Sequence, residues 1–192
     1  MGKDLPRIAE IEFEMHEPSG ALLVTVQDGD GGEFAHYVRA QDGSWRQFSR
    51  FGDKVVQATF MDDGDLLLIS RQQAPRGKIL RLDGKSLDVG NAKVLIQQAA
   101  DTVETSFYHS PPSLVATDSR IFVLYQMGGP SELRVFDHQG NPTSKPQQLP
   151  VSTVGDCLLR RETRSCLPIR HSSTQRHISA LTHARIKRSK QT

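Results

Sequence analysis

The sequence predicts an all-β fold, and three observations carry the prediction. Apolar and polar residues alternate in short runs through residues 8–151, turn pairs punctuate those runs, and no stretch carries an apolar stripe at the helical period. Alternation with a period of two lays one set of side chains on the core-facing surface of a strand. The length of 192 residues suits one domain with a sizeable core and leaves no room for a second large one. With 36% hydrophobic and 24% charged residues, 15 Gly and 10 Pro, the composition is that of a turn-rich soluble protein rather than a disordered or collagen-like chain.

Each strand follows from its own run. Leu23-Val24-Thr25-Val26-Gln27, Phe34-Ala35-His36-Tyr37-Val38-Arg39 and Trp45-Arg46-Gln47-Phe48 come first. Lys78-Ile79-Leu80-Arg81-Leu82 and Lys93-Val94-Leu95-Ile96 follow, then Ile121-Phe122-Val123-Leu124-Tyr125 and Leu133-Arg134-Val135-Phe136. Asp28-Gly29, Asp42-Gly43, Asp63-Gly64, Asp83-Gly84 and Gly140-Asn141 lie between them, and such pairs supply the positive φ of tight hairpins.

A longer period overlies the strands. Asp63 to Ile69, a loop holding Pro75, and Ile79 to Asp83 form one unit. Asp118 to Leu124, a loop holding Pro130, and Leu133 to Asp137 form a second; a fainter copy runs from Ser19 to Ala40. A unit of about four strands recurring every 40–50 residues or so is the mark of a β-propeller blade. The expectation is a partial β-propeller of about three blades in residues 1–156, built of antiparallel four-stranded meanders. A sandwich or barrel, whose strands recur at similar spacing, is the alternative. Closed propellers have about four to eight blades, so three would leave edge strands open, and those edges are expected to drive self-association.

The run from Leu66 through Ser70-Arg71-Gln72-Gln73-Ala74-Pro75-Arg76-Gly77 to Asp83, followed by Lys93-Val94-Leu95-Ile96, Ile121 to Tyr125 and Leu133 to Asp137, resembles the N-terminal propeller of the prolyl oligopeptidase family of serine peptidases. The resembling segment runs from about Ile8 to Val154. The resemblance implies a propeller that admits only short peptides to a catalytic α/β-hydrolase domain. In that domain a serine on a G-x-S-x-G elbow works with an Asp and a His. No such elbow occurs here: Gly43-Ser44-Trp45 and Gly128-Gly129-Pro130-Ser131 lack its spacing. No catalytic residue of the family maps onto this sequence, and the 192 residues alone are expected to be inactive as a peptidase.

The net charge of +2 conceals a division. Residues 157–192 hold nine Lys/Arg against Glu162, leaving residues 1–156 with fifteen basic and twenty-one acidic side chains. Both cysteines, Cys157 and Cys166, lie in the basic part. Cys157, Cys166, His171, His177 and His183 offer metal ligands, but not at the paired spacings of structural zinc modules. Ile186-Lys187-Arg188-Ser189-Lys190 is a basic cluster suited to phosphates, without aromatic residues for base stacking. The abrupt loss of turn pairs after Asp156 is also what a reading-frame shift produces. Residues 157–192 are accordingly expected to be an irregular basic tail, disordered or a frameshift product, with nucleic acid not its partner.

Within the body, His109 in Tyr108-His109-Ser110-Pro111-Pro112-Ser113 sits on a stiff loop. It is read as an inter-blade crossover, with a substrate or domain contact as the functional option. His36 is expected to be a half-exposed strand residue. Arg71 and Arg134 have the forked donors that bind a peptide carboxylate, with surface salt bridges as the commoner use. Asp28, Asp30, Asp62, Asp63 and Asp65 invite calcium, but the Asp28 to Glu33 loop lacks EF-hand spacing, and hairpin turns select Asp for backbone reasons. No catalytic, cofactor-binding or metal residues are assigned, and no cofactor is expected. Apolar runs such as Ala21 to Val24, Leu66 to Ile69 and Ile121 to Tyr125 are too short for a membrane helix or a signal peptide, so a cytoplasmic protein with no membrane partner is expected. The resemblance implies short peptides as ligands. A non-enzymatic propeller that binds peptides or proteins and completes its ring by oligomerising is the alternative.

Overall fold

The structure, a computed structural model, describes residues 5–105 and 112–144 in full, together with the backbone of Thr153–Arg160 and Ser165–His171. Three antiparallel sheets follow one another along the chain. The first holds β1 (Ala9–His16), β2 (Ala21–Asp28), β3 (Phe34–Arg39) and β4 (Trp45–Ser49), paired in chain order. The second holds β5 (Val55–Phe60), β6 (Leu66–Ser70), β7 (Lys78–Leu82) and β8 (Lys93–Ile96), again in chain order. In the third, β11 (Ile121–Gln126) is central: β12 (Ser131–Phe136) pairs on one side, β9 (Thr102–Val103) and β10 (Leu114–Ala116) on the other. These are three blades of a β-propeller, as the repeat predicts. The copies seen in the sequence start at the second strand of each blade, β2, β6 and β11.

A propeller blade is covered on both faces by its neighbours, and β6 records this in its side chains. Leu66 and Leu68 join Leu23, Val38, Phe48, Val55, Ala58, Leu80 and Leu82 in the core between the first two blades. Leu67 and Ile69 point the other way, into the core between the second and third blades with Val56, Ile79, Leu114, Ile121, Val123 and Tyr125. The period of two is kept, but both sets are apolar because both faces are buried, so the run reads as continuous Leu-Leu-Leu-Ile. Each such side chain contributes about 1.5–3 kcal/mol by leaving water.

Turn chemistry fixes the hairpins, though not everywhere for one reason. Gly29, Gly43, Gly64 and Gly140 have positive φ, as their turns require. Gly84 does not: a Cβ there would stand 1.9 Å from the Gly64 carbonyl oxygen, so the glycine is needed for the close approach of two turns in one blade. The Asp83 carboxylate accepts the N–H groups of Lys85 (2.7 Å) and Ser86 (3.1 Å), an Asx turn whose bonds hold its pKa below the ordinary value.

A fourth, two-stranded sheet pairs β13 (Thr153–Arg160) with β14 (Ser165–His171). The change of composition after Asp156 falls inside β13. Pro168 stands opposite Cys157, and a proline is tolerated there because, among the described residues, this two-stranded ribbon has only edge strands. Residues 172–192, with His177, His183 and the basic cluster, lie outside the described residues. Among the described residues no helix is long and apolar enough to cross a membrane.

Candidate functional site

The most informative place lies where the first strand of the third blade is broken. Val103 pairs with Tyr125 in β9, and Leu114 pairs with Val123 in β10. Between those registers Leu124 serves both ends: its carbonyl accepts the Glu104 N–H and its own N–H donates to the Ser113 carbonyl, each at 2.9 Å. Glu104 and Ser113 are thus both anchored to one residue of β11. His109, read from the sequence as part of a crossover between blades, lies outside the described residues.

The stem is held from the second blade by the Arg71 to Gly77 loop, the segment on which the family resemblance chiefly rests. Arg71 donates through Nη1 to the Pro75 carbonyl (2.6 Å) and through Nη2 to the Val103 carbonyl (3.2 Å). The Val103 N–H donates to the Arg76 carbonyl (2.8 Å), and the Arg76 N–H to Gln98 Oε1 (2.8 Å). Gly77, at φ +89°, lets the loop close on the Val103 side chain; a Cβ there would meet Val103 Cβ at 3.0 Å. Arg71 is neither a surface salt bridge nor a free carboxylate receptor, since both described bonds go to backbone carbonyls. Across the stem, Ser113 Oγ donates to Gln57 Oε1 of β5 (3.2 Å).

Arg134 does form salt bridges. Nε bonds Glu132 (2.7 Å), Nη2 bonds Asp101, and the guanidinium lies 4.2 Å from the centre of the buried Tyr125 ring. Arg134 thereby ties β12 to the start of β9. Of the acidic turn residues, Asp63 and Asp65 are occupied by Arg81, at 2.6 Å and 2.7 Å, and Asp65 also accepts the Gly84 N–H (3.1 Å). Among the described residues no group of three or more His, Cys, Asp or Glu is placed to hold a metal ion.

Two histidine–serine contacts are absent from the sequence reading. His36 is fully buried, not half-exposed: it shares one face of β3 with the buried Phe34 and Val38. Its Nδ1 lies 2.7 Å from Ser49 Oγ, and its ring stacks between Phe34 and Phe48. Burial lowers its pKa from 6.5 to about 3, so the ring is neutral, and Nε2 has no partner among the described residues. Closed to solvent and without a carboxylate to orient the ring, this pair packs the blade and does no acid–base chemistry. His16, at the end of β1, has Nδ1 2.7 Å from Ser19 Oγ and Nε2 3.3 Å from the Asp62 carbonyl, with its ring against Phe60. Two residues earlier, Glu14 Oε1 accepts from Thr59 Oγ1 (3.0 Å) and from the Phe60 N–H (2.9 Å). One face of β1 therefore reaches across to the second blade. Burial raises the Glu14 pKa, and the two hydrogen bonds offset part of that rise.

No protein-family model matches the chain, and no curated protein matches it in sequence. Solved structures do match in fold. A prolyl endopeptidase, from a structural and mechanistic study of two such enzymes and their inter-domain dynamics, superposes with a TM-score of 0.65 at 14% identity, over 78% of this chain and 21% of its own. Prolyl oligopeptidase B from Galerina marginata, without ligand, gives a TM-score of 0.55 at 11% identity, over 76% of this chain and 21% of its own. The chain has the fold of one part of these enzymes. It spans about a fifth of their length, as the sequence resemblance to a partial propeller anticipates. At these identities the likeness is one of fold.

Proposed function

We propose that this chain is part of the access domain of a prolyl oligopeptidase-like serine peptidase, limiting entry to short peptides, while an α/β-hydrolase domain outside these 192 residues performs the hydrolysis. The observation that supports the reading is the match of 78% of the chain, at a TM-score of 0.65, to a fifth of a prolyl endopeptidase. Two features agree with it. The sequence holds no G-x-S-x-G elbow, and the buried His36–Ser49 pair cannot serve as a substitute. On this reading the ligands are short, proline-containing peptides, the compartment is the cytoplasm, and residues 157–192 are read in a shifted frame.

The test is on the transcript. Sequenced from the codon of Val151 onward and translated in all frames, it is expected to continue in another frame with further blades and then a G-x-S-x-G elbow. A transcript with no such frame sinks the proposal. As a companion assay, the purified 192-residue chain is expected to leave a chromogenic proline peptide intact; hydrolysis that co-elutes with the chain on gel filtration counts against the reading.

A further inference from the structure

The edges of the three blades are not alike. β5 carries a register break between Val55 and Gln57, and the first strand of the third blade is interrupted between β9 and β10. At the other ends, β4 and β8 are five and four residues long and each pairs across a register break. The outer side of β12 is partly covered by the Phe136–Pro142 bridge and the Thr143 N–H to Val135 carbonyl bond. β1 differs from all of these. It is eight residues long, pairs with β2 without a break from Ala9↔Asp28 to His16↔Ala21, and among the described residues has no partner on its other side. A long, regular, unpaired edge is a template for another strand.

The side chains along this edge state what that strand should carry. Ile11, Phe13 and Met15 lie on one face, and Phe13 and Met15 are 66% and 65% exposed. Glu10, Glu12 and Glu14 lie on the other; Glu14 is engaged by Thr59 and Phe60, while Glu12 is exposed. Neighbouring strands share faces residue by residue, so the complementary strand alternates apolar side chains with Lys or Arg. A second copy of β1 does not fit. The central two-fold antiparallel registers place Glu12 opposite Glu10, Glu12 or Glu14, the next ones out place Glu10 or Glu14 opposite its own copy, and like charges directly opposite destabilise a pair.

We infer that the free edge of β1 is a strand-addition site for an extended peptide in which Lys or Arg alternates with apolar residues. The peptide's backbone continues the first sheet, its apolar residues cover Phe13 and Met15, and its cations lie beside Glu10 and Glu12. This inference stands apart from the access-domain reading, because it needs neither a hydrolase domain nor a closed ring.

The experiment uses the full 192-residue chain and a labelled probe, acetyl-Lys-Ile-Arg-Val-Lys-Ile-Arg-amide, followed by fluorescence anisotropy at low and high salt. Hydrogen exchange of the β1 amides is read in parallel. Expected are saturable binding that weakens with salt, slowed exchange along β1, and affinity about two- to thirtyfold lower in the Glu10→Gln/Glu12→Gln variant. Both positions are neutralised without shortening a side chain, so the variant should fold as the parent does. A peptide of the same composition with its charges in one block should bind more weakly, and Phe13→Thr should weaken binding of the alternating peptide. No binding at about 1 mM peptide, equal binding of the blocked-charge peptide, or unchanged affinity in the double variant overturns the inference. So does a chain dimer that Phe13→Thr dissolves, because the occupant is then a second copy.

Discussion

The Arg71 guanidinium donates to the Val103 carbonyl across 3.2 Å, joining a loop of the second blade to the broken first strand of the third. Val103 contributes just one of the two residues of β9, so this bond and the Val103 N–H to Arg76 carbonyl bond hold an element too short to hold itself. Replacing Arg71 by Met is expected to cost about 1.5–3 kcal/mol in urea denaturation, the range for charged hydrogen bonds. The Val103 and Glu104 amides should exchange faster by more than the global loss explains. Equal acceleration across all three blades would show that Arg71 stabilises the fold without positioning the stem.

Gly84→Ala tests the contact between turns. Its Cβ would sit 1.9 Å from the Gly64 carbonyl oxygen, inside any permitted distance, so the two hairpins must separate. A loss of about 2–4 kcal/mol is expected, near the upper end for single substitutions. Gly52→Ala, with nothing within 4 Å of the added carbon, serves as the control and should stay close to the parent.

His36 makes stability fall with acid. Its folded pKa of about 3 lies below its ordinary 6.5, so between those values the unfolded chain binds a proton that the folded chain refuses. Stability from this group is fully present above pH 6.5 and is lost as pH falls toward 3, by up to about 1.4 kcal/mol per pH unit. Urea midpoints measured from pH 7 to pH 4 should show this slope, and His36→Gln should flatten it. A slope unchanged in the variant would assign the acid sensitivity to other groups.

Glu14 has the opposite sign. Burial raises its folded pKa, so ionisation costs more in the folded chain, and the stabilising form is the protonated one. Glu14→Gln keeps an acceptor for Thr59 and Phe60 and carries no charge. Its denaturation midpoint should exceed the parent's at pH 7, and the gain should shrink as pH falls through the raised pKa. A variant less stable than the parent at pH 7 would mean that the carboxylate's two hydrogen bonds outweigh its desolvation.

Leu68→Ala removes a side chain with no solvent exposure from the core between the first and second blades, and is expected to cost about 2–5 kcal/mol. Losing Arg81, whose partners Asp63 and Asp65 are partly exposed, should cost less, about 0.2–1 kcal/mol per ion pair. If Arg81→Met proved the more damaging, the ion pairs rather than the apolar cores would govern the second blade.

How much of this was legible follows from what each signal encodes. Period-two alternation and Asp-Gly turns are local, so the strands they mark, from Leu23 to Phe136, stand where the sequence places them. β5 carries no clean alternation although Val55, Val56 and Ala58 are buried, because Gln57 and its register break blur the period of two. His36 differs from its expectation because it shares the buried face of β3 with Phe34 and Val38, where a polar residue breaks the apolar pattern without leaving the core. The Arg71 contact with Val103 and the Glu14 contact with Thr59 join residues 32 and 45 positions apart, and no local pattern announces a pairing between blades. The Asp83-Gly84 pair marks a turn but not the reason for its glycine, since crowding by a second turn leaves no trace in the dipeptide.

Because Glu104 and Ser113 both bond Leu124, the number of residues between them is decoupled from the register of the third blade. Lengthening a loop already closed at its base adds only about 0.6 kcal/mol per doubling. The break in the strand therefore acts as an insertion port. A peptide inserted between Glu104 and Ser113 is expected to leave the pairing of β9 and β10 with β11 intact.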